Sequence, residues 1–277
     1  MAETGFVQAF LWDEQGETPD YNSGGLVVGG SMPIASPDSR RSGIGGQAAW
    51  SAGVILPSAS PEVEVTADTK TLITYAIRDS YPAGALTAIM CHVGTAEHDW
   101  LLENALIRSL RLSGSPDNPL RAGFDIAALT VTKAAAGAEE EAVGTLLDWY
   151  HGSVLIGVLP YDCRSFDCTI NNNVRANANL DAKTPTFARF PGGFSLGTEE
   201  VSLRLNLGTY LNYDILADDP ARDIAVSISY TDGVTTITLA FTNLAIVGGI
   251  TMPFQAGGDD VLWDLELQGA PGCLKIT

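Results

Sequence analysis

Residues 224–241 have the sequence IAVSISYTDGVTTITLAF, and this stretch determines the class of fold that we expect. Apolar and small polar residues alternate along both of its halves, on either side of the dipeptide Asp232-Gly233. Alternation with a period of two is typical of a strand that has one buried and one exposed face. An Asp-Gly pair between two such runs indicates a tight turn. The stretch therefore predicts an antiparallel β-hairpin.

The same alternation recurs in other parts of the chain. Residues 106–112 and 120–126 are alternating runs joined by a loop of Gly, Pro, Ser, Asn and Asp, and they predict a second hairpin. Further alternating runs occupy residues 71–78, 201–207 and 261–267. We therefore expect a mainly β protein, an antiparallel β-sandwich or partly closed barrel whose strands are half buried.

One segment has a different period and predicts the main helix, at residues 138–151. Its apolar residues are spaced three and four apart, as along one stripe of a helix. Residues 139–141 are glutamates near the expected N-terminus, where negative charge is favourable, and a glycine follows at 152. We expect this helix to pack flat on a sheet. The apolar residues of the stripe are Val143, Leu146, Leu147 and Tyr150.

The N-terminal part of the chain has a composition of its own. Residues 15–60 are rich in Gly, Ser and Pro, which predicts extended chain or long loops with at most short strands. A loop of this length is unusual inside a lone compact domain, so we expect it to lie along a neighbouring subunit. The expected organisation is an arm at residues 1–62 and a β domain at residues 63–277, divisible into 63–160 and 161–277.

Charged residues are few and mostly acidic. The chain has 277 residues, of which 33 are Asp or Glu and 15 are Lys or Arg, giving a formal net charge of −18. Only 17% of its residues are charged, against about 25% in an average soluble domain. This balance argues against nucleic-acid binding by phosphate neutralisation and against an anionic membrane surface. A largely neutral surface is expected of a subunit that its neighbours cover.

The cysteines, histidines and paired acids form no recognisable catalytic or metal-binding motif. Cys163 and Cys168 are five residues apart, which is not a usual zinc spacing. No secretory signal is visible, so we expect a reducing compartment and buried thiols. The adjacent acids at 218–219 and 259–260 are typical of turns. We expect no enzymatic activity, no bound metal and no cofactor.

The order of the segments carries a resemblance to a known family. The Gly/Pro-rich leader is followed by the run at 71–77, by residues 103–113 and by a returning strand at 120–126. The second part covers residues 187–268, where Phe-Pro-Gly-Gly at 190–193 precedes another alternating strand. In this order and spacing the chain resembles the tail tube proteins (major tail proteins) of long-tailed double-stranded DNA bacteriophages.

The resemblance implies a structural virion protein. Its β-sandwich or barrel subunit would close into hexameric rings, which stack into the conduit for ejection of the viral genome. Its partners would be further copies of the chain and the tape measure, terminator and distal tail proteins. Viral DNA would pass without specific binding, and no membrane would be involved. The protein would be made in the host cytoplasm and would reside in the virion tail.

A tube that conducts DNA should repel it, so we expect the surplus carboxylates to face the channel. Acids in turns can project into a bore, whereas the faces of strands pack. The candidate lumen-facing residues are Asp117, Asp218, Asp219, Asp259 and Asp260.

Two other classes of protein are compatible with the expected fold. One is another virion β-module, such as a capsid decoration protein or a baseplate component. The other is a carbohydrate-binding β-sandwich domain, which should expose an aromatic platform to sugars. Polymerisation of the purified protein distinguishes a tube subunit from both.

Overall fold

The computed structural model describes residues 3–16, 21–34, 39–42, 48–51, 56–78, 84–95, 99–116, 118–134, 144–176, 193–208, 223–247 and 263–277. These residues contain twenty strands and one α-helix, α1 (Ala67–Tyr75). The strands are β1 (Glu3–Glu14), β2 (Asn22–Ser23), β3 (Leu26–Ile34), β4 (Ser39–Ser42), β5 (Ala48–Ser51), β6 (Ser58–Glu64), β7 (Ile89–Thr95), β8 (Asp99–Ser115), β9 (Asn118–Ala127), β10 (Thr130–Ala134), β11 (Asp148–Ile156), β12 (Leu159–Tyr161), β13 (Cys163–Asn171), β14 (Arg175–Ala176), β15 (Phe194–Ser195), β16 (Glu200–Leu207), β17 (Ile224–Thr231), β18 (Thr236–Ile246), β19 (Trp263–Gly269) and β20 (Leu274–Ile276).

Both predicted hairpins are confirmed, and with them the mainly β antiparallel fold. In the first, β17 pairs with β18 and Ser229 lies opposite Thr238. In the second, β8 pairs with β9 and Leu110 lies opposite Phe124. The apolar side of each strand is turned inward, as the alternation requires: Ile228 is fully buried.

The strands pair in the order β8–β13–β16–β19–β18–β17–β11, antiparallel at each step. On its other side β8 pairs with β9, which continues to β6, β3 and β1. β11 meets β9 through one residue pair, Asp148 opposite Pro119. The described strands therefore form a sandwich and not a continuously paired closed barrel.

The inward side chains of the strands form one hydrophobic core cluster. Tyr230 and Phe241 are its largest fully buried side chains. Phe166 packs on Tyr230 with their ring centroids 5.9 Å apart. Truncation of such a buried side chain costs about 3–5 kcal/mol. A slip of one residue would turn the whole apolar side of a strand to solvent, so the core also fixes the register.

The prediction of a strand at residues 71–78 was wrong, because most of this run belongs to α1. Thr66 is the N-cap, and Thr66 and Thr69 form a reciprocal capping box. Thr69, Leu72 and Ile73 are the buried residues of the helix, spaced as one helical stripe. Residues 71–75 are compatible with both the strand period of two and the helical period of 3.6. The N-cap at Thr66 favours the helix. No helix in the described part of the chain is long and apolar enough to cross a membrane.

The predicted position of the main helix, residues 138–151, was also wrong wherever the structure describes it. Residues 138–143 lie outside the described residues, residues 144–147 are irregular, and 148–151 begin β11. The backbone of Leu147 is committed to neighbouring segments: its N–H donates to Val65 O at 2.9 Å and its carbonyl accepts from Leu120 N at 3.0 Å. These tertiary hydrogen bonds outweigh the helical spacing of the apolar residues.

The leader contributes more to the sandwich than its composition predicts. β1 pairs with β2, β3 and β7, and β3 pairs with β6, so four strands of the first 64 residues, β1, β2, β3 and β6, belong to the large sheet. Phe10, Trp12 and Met32 are buried in the core. β4 and β5 pair only with each other among the described strands. A domain boundary after residue 62 stays a prediction.

Candidate functional site

The broadest surface feature is the outward side of six adjacent strands, β6, β9, β8, β13, β16 and β19, which we call the polar face. One row of directly opposed residues crosses all six strands, and a second, parallel row is equally polar. The first row is Glu64, Arg121, Ser113, Asp167, Arg204 and Glu266. The second row is Glu62, Gly123, Arg111, Thr169, Ser202 and Gln268.

The polar face arises from the same alternation that builds the core. Inward apolar residues alternate with outward polar or charged ones, as in β16, where Leu203 and Leu205 are buried and Arg204 between them is exposed. The face contains a shallow groove of about 750 Å³. The groove is lined by Phe166 and by polar residues such as Ser113, Asp167 and Arg204.

The arginines of the polar face are each paired with a carboxylate of the same chain. Arg111 Nε donates to Asp167 Oδ2 at 2.9 Å. Arg204 Nη2 lies 3.0 Å from Asp264 Oδ2. The three remaining pairs are Arg121 with Glu64, at 3.1 Å, Arg108 with Asp125, at 2.5 Å, and Arg164 with Asp162, at 3.7 Å. Exposed pairs of this kind add little stability, but they cancel the positive charge of the face.

Carboxylates remain in excess on the polar face after this pairing. Its five arginines are Arg108, Arg111, Arg121, Arg164 and Arg204, and its eight acids, with Asp162 beside the start of β13 included, are Glu62, Glu64, Asp125, Asp162, Asp167, Glu200, Asp264 and Glu266. A hydrogen bond from Asn206, at 2.9 Å, and the pairing with Arg204 lower the pKa of Asp264. The face is therefore negative overall and carries its cations in neutralised form.

The opposite layer of the sandwich presents a second, different surface on β11, β17 and β18. Its outward rows consist of small uncharged residues and one leucine, and we call them the neutral face. Ser229 and Thr238 hydroxyls lie 3.1 Å apart on it. The rows are Ser153, Ser229 and Thr238, and Leu155, Ser227 and Ala240.

The titratable groups of the described residues do not form a reactive centre. The four cysteines are all buried, which confirms the prediction of buried thiols. Burial raises the pKa of Cys163 and of Cys273 to about 11, and it also raises the pKa of Cys91 and of Cys168. Such thiols stay protonated at neutral pH and are poor nucleophiles. No group of three His, Cys, Asp or Glu that could hold a metal ion occurs among the described residues.

These surfaces belong to a chain whose sequence matches the family model of phage tail tube proteins over residues 13–268. The chain belongs to the phage tail tube protein family. The match covers both layers of the sandwich, from the end of β1 to the last strand of the polar face. No curated protein matches the chain. Membership in the tail tube family confirms the resemblance, and it identifies a structural component of the virion tail and not a family of enzymes.

The five candidate lumen-facing acids, Asp117, Asp218, Asp219, Asp259 and Asp260, all lie outside the described residues. Their orientation stays a prediction. The carboxylates of the polar face were not singled out from the sequence. They could have been found by collecting the polar positions of the alternating strands. Among these mostly Ser and Asn residues, Arg111, Asp125 and Arg204 stand out as charged.

Proposed function

We propose that this tail tube protein closes into hexameric rings and that the stacked rings form the conduit through which viral DNA leaves the capsid. Membership in the family supports the proposal that the protein forms a tube. The polar face is the observation that supports the passage of DNA through it. A DNA channel needs a wall that does not hold phosphate, and phosphate is held by unneutralised Lys and Arg. On the polar face each arginine has its own carboxylate partner.

We infer that the polar face lines the bore. Its six strands provide a broad wall, and its surplus of acids repels a polyanion. At physiological salt the repulsion extends about 8 Å from the wall, which suffices to keep DNA from adhering within a narrow channel. The loop acids Asp117, Asp218, Asp219, Asp259 and Asp260 would add to this negative wall.

The neutral face is suited to contact with a neighbouring subunit. Copies with a formal net charge of −18 repel one another wherever their carboxylates meet. The rows of Ser, Thr, Ala and Leu155 carry no charge of their own, although Lys275 of β20 borders them. Covering them costs much less than burying carboxylates, provided that the hydroxyls keep hydrogen-bond partners. Because the neutral face lies on the layer opposite the polar face, it points away from the bore, and a neighbouring copy would cover it with a segment that reaches around the ring. We assign this role of inter-subunit arm to the part of the leader around β4 and β5.

The remaining partners follow from the place of a tube in a tail. The tube would meet the tape measure protein inside it, the terminator protein at one end and the distal tail protein at the other. Assembly would take place in the host cytoplasm, and no cofactor would be required.

Electron microscopy of the purified chain tests this proposal. We expect hollow tubes whose cross-section shows six subunits. A chain that stays monomeric at every protein concentration and ionic strength, or that forms rings of another symmetry, would contradict it. Because the subunits are acidic, tubes should form more readily as ionic strength rises.

A further inference from the structure

An apolar side chain stands at the tip of the hairpin formed by β17 and β18. Val234 is 95% exposed, more than any other large hydrophobic residue in the described part of the chain. Turns of this kind are usually polar, since Gly, Asn, Asp and Ser supply the geometry. Here Asp232 and Gly233 supply it, and the next residue is a β-branched aliphatic one.

The tip that carries Val234 is held by a dense set of hydrogen bonds. Asp232 Oδ1 accepts from the N–H of Val234 at 2.8 Å and from the N–H of Thr235 at 2.5 Å. Thr231 Oγ1 accepts from the N–H of Gly233 at 3.0 Å and donates to the carbonyl of Thr235 at 2.9 Å. The backbone of the tip is therefore ordered before any partner arrives, and this preorganisation lowers the entropic cost of binding.

A second exposed apolar tip connects β11 to β12. Val158 is 89% exposed and the adjacent Leu159 is 43% exposed. Gly157, with φ of 63°, begins this two-residue turn, and its N–H donates to the carbonyl of Ala225 at 2.8 Å. A glycine at the first central position is typical of a type II′ hairpin turn.

The two tips lie at opposite ends of the same strand pair. β11 and β17 are antiparallel, with Asp148 opposite Thr231 at one end and Ile156 opposite Val226 at the other. Val234 lies just beyond Thr231, at one end of the pair, and Val158 lies just beyond Ile156, at the other end. With about 3.3 Å per residue, the length of a strand separates them.

We propose that the Val234 tip of one copy docks against the Val158–Leu159 tip of a second copy, in a head-to-tail contact between successive rings. The proposal rests on the proposed tube, because an open stack needs heterologous contacts made by two different surfaces on opposite ends of the subunit. The Val234 and Val158–Leu159 tips meet this requirement. An aliphatic contact also lets two acidic subunits approach without opposing their carboxylates.

Engineered cysteines test this contact in the full-length chain. All four native cysteines are buried, so cysteines introduced at the tips would be the accessible thiols. The variant Val158→Cys with Val234→Cys, assembled and then oxidised, should give a ladder of covalent multimers on a non-reducing gel. Each copy would be linked to the one above and the one below, whereas either single variant should give no ladder. Val28→Cys with Val234→Cys is the matched control, because Val28 is exposed but lies on β3.

A charge exchange tests the same contact without oxidation. Val234→Asp alone and Val158→Lys alone should each raise the concentration needed for polymerisation at least tenfold. The double variant should restore polymerisation, since the Asp of one copy would meet the Lys of the next.

The outcomes separate this inference from the tube itself. Normal tubes with no ladder, or with cross-linking no stronger than in the Val28 control, would overturn the head-to-tail contact and leave the tube standing. Dimers from Val234→Cys alone would overturn it in favour of a tip-to-tip contact. A wild-type chain that never polymerises would overturn both proposals.

Discussion

Asp167 on β13 and Arg204 on β16 lie directly opposite each other on the polar face, and each also has a partner on a further strand. Asp167 accepts from Arg111 on β8, and Arg204 donates to Asp264 on β19. The charges thus alternate across four adjacent strands. Such an arrangement neutralises the arginines without removing them, and it leaves the face as a whole acidic.

The negative balance of the polar face predicts how tubes respond to charge reversal. Glu62→Lys with Glu266→Lys should produce tubes that retain double-stranded DNA at low salt and release it at high salt, because unneutralised lysines bind phosphate through counterion release. Wild-type tubes should retain none. The measurement is co-sedimentation of labelled DNA with assembled tubes.

The control for this experiment changes the net charge by the same amount elsewhere. Glu14→Lys with Asp68→Lys alters exposed acids of β1 and α1, away from the polar face. Tubes of this variant should behave like wild type. Equal DNA retention by the two variants would mean that net charge, and not the polar face, governs adhesion.

A close approach between the two layers predicts a steric requirement for glycine at position 114. A Cβ added to Gly114 would lie 1.8 Å from the Tyr230 hydroxyl oxygen, in a buried contact. Gly114→Ala should therefore lower the free energy of unfolding by about 1–3 kcal/mol, the usual cost of overpacking. Gly123→Ala, on the neighbouring strand β9, is the control, because its Cβ would meet nothing closer than 4.0 Å.

A double-mutant cycle identifies Tyr230 as the cause of the loss. Gly114→Ala combined with Tyr230→Phe should lose less stability than the sum of the two single changes, since the hydroxyl that clashes is gone. Urea denaturation of the four proteins gives the coupling. Tyr230 Cζ, 2.6 Å from the added Cβ, remains in the Phe variant, so strict additivity would show that the hydroxyl oxygen is not the origin of the effect.

The capping box of α1 predicts a measurable cost for removing one hydroxyl. Thr66→Ala should lower the free energy of unfolding by about 1–2 kcal/mol, because the Thr66 hydroxyl caps the N–H of Thr69 and is fully buried. Thr66→Ser should retain most of the stability. Thr71→Ala, at an exposed position of the helix, should have an effect within about 0.5 kcal/mol. Thermal unfolding monitored by circular dichroism distinguishes the three.

The lowered pKa of Asp264 predicts a pH-dependent contribution to stability. Its hydrogen bond from Asn206 and its pairing with Arg204 favour the carboxylate in the folded state. The contribution is present above the unfolded value of 3.8 and is lost as pH falls through the lower folded value. The difference in melting temperature between wild type and Asp264→Asn should thus be largest near pH 7 and should shrink toward pH 3.

The effect of losing one negative charge must be removed from this comparison. Glu266→Gln, at an exposed position of the same strand, provides the correction. A difference for Asp264→Asn that stays constant from pH 7 to pH 3 after this correction would contradict the assignment.

The strands could be predicted from the sequence because one face of each is buried and the other is solvated. Leu203, Leu205 and Arg204 show this in three consecutive positions. The two errors have different causes, one a local cap that precedes the apolar run and the other a set of tertiary hydrogen bonds. Residues 71–75 satisfy both a period of two and a helical stripe, and only the Thr66 cap decides between them. Leu147 has helical spacing with its neighbours, but its backbone hydrogen bonds belong to Val65 and Leu120.

The functional surfaces were only partly predictable for a related reason. The acidic surplus indicates repulsion of DNA, but net charge says nothing about which strands lie side by side. The row from Glu64 to Glu266 exists because six strands that are distant in sequence pair in one register. The tips at Val158 and Val234 were not singled out from the sequence, and their positions at opposite ends of β17 required the register of β11.

The polar face should line the bore of the assembled tube. A cryo-electron-microscopy reconstruction of tubes, at a resolution that shows side chains, locates its residues in the wall. We expect Ser113, Asp167 and Arg204 of every subunit to face the channel, with the Arg204–Asp264 pair intact. A reconstruction with these residues on the outer surface, or covered by a neighbouring subunit, would show that the polar face does not line the bore.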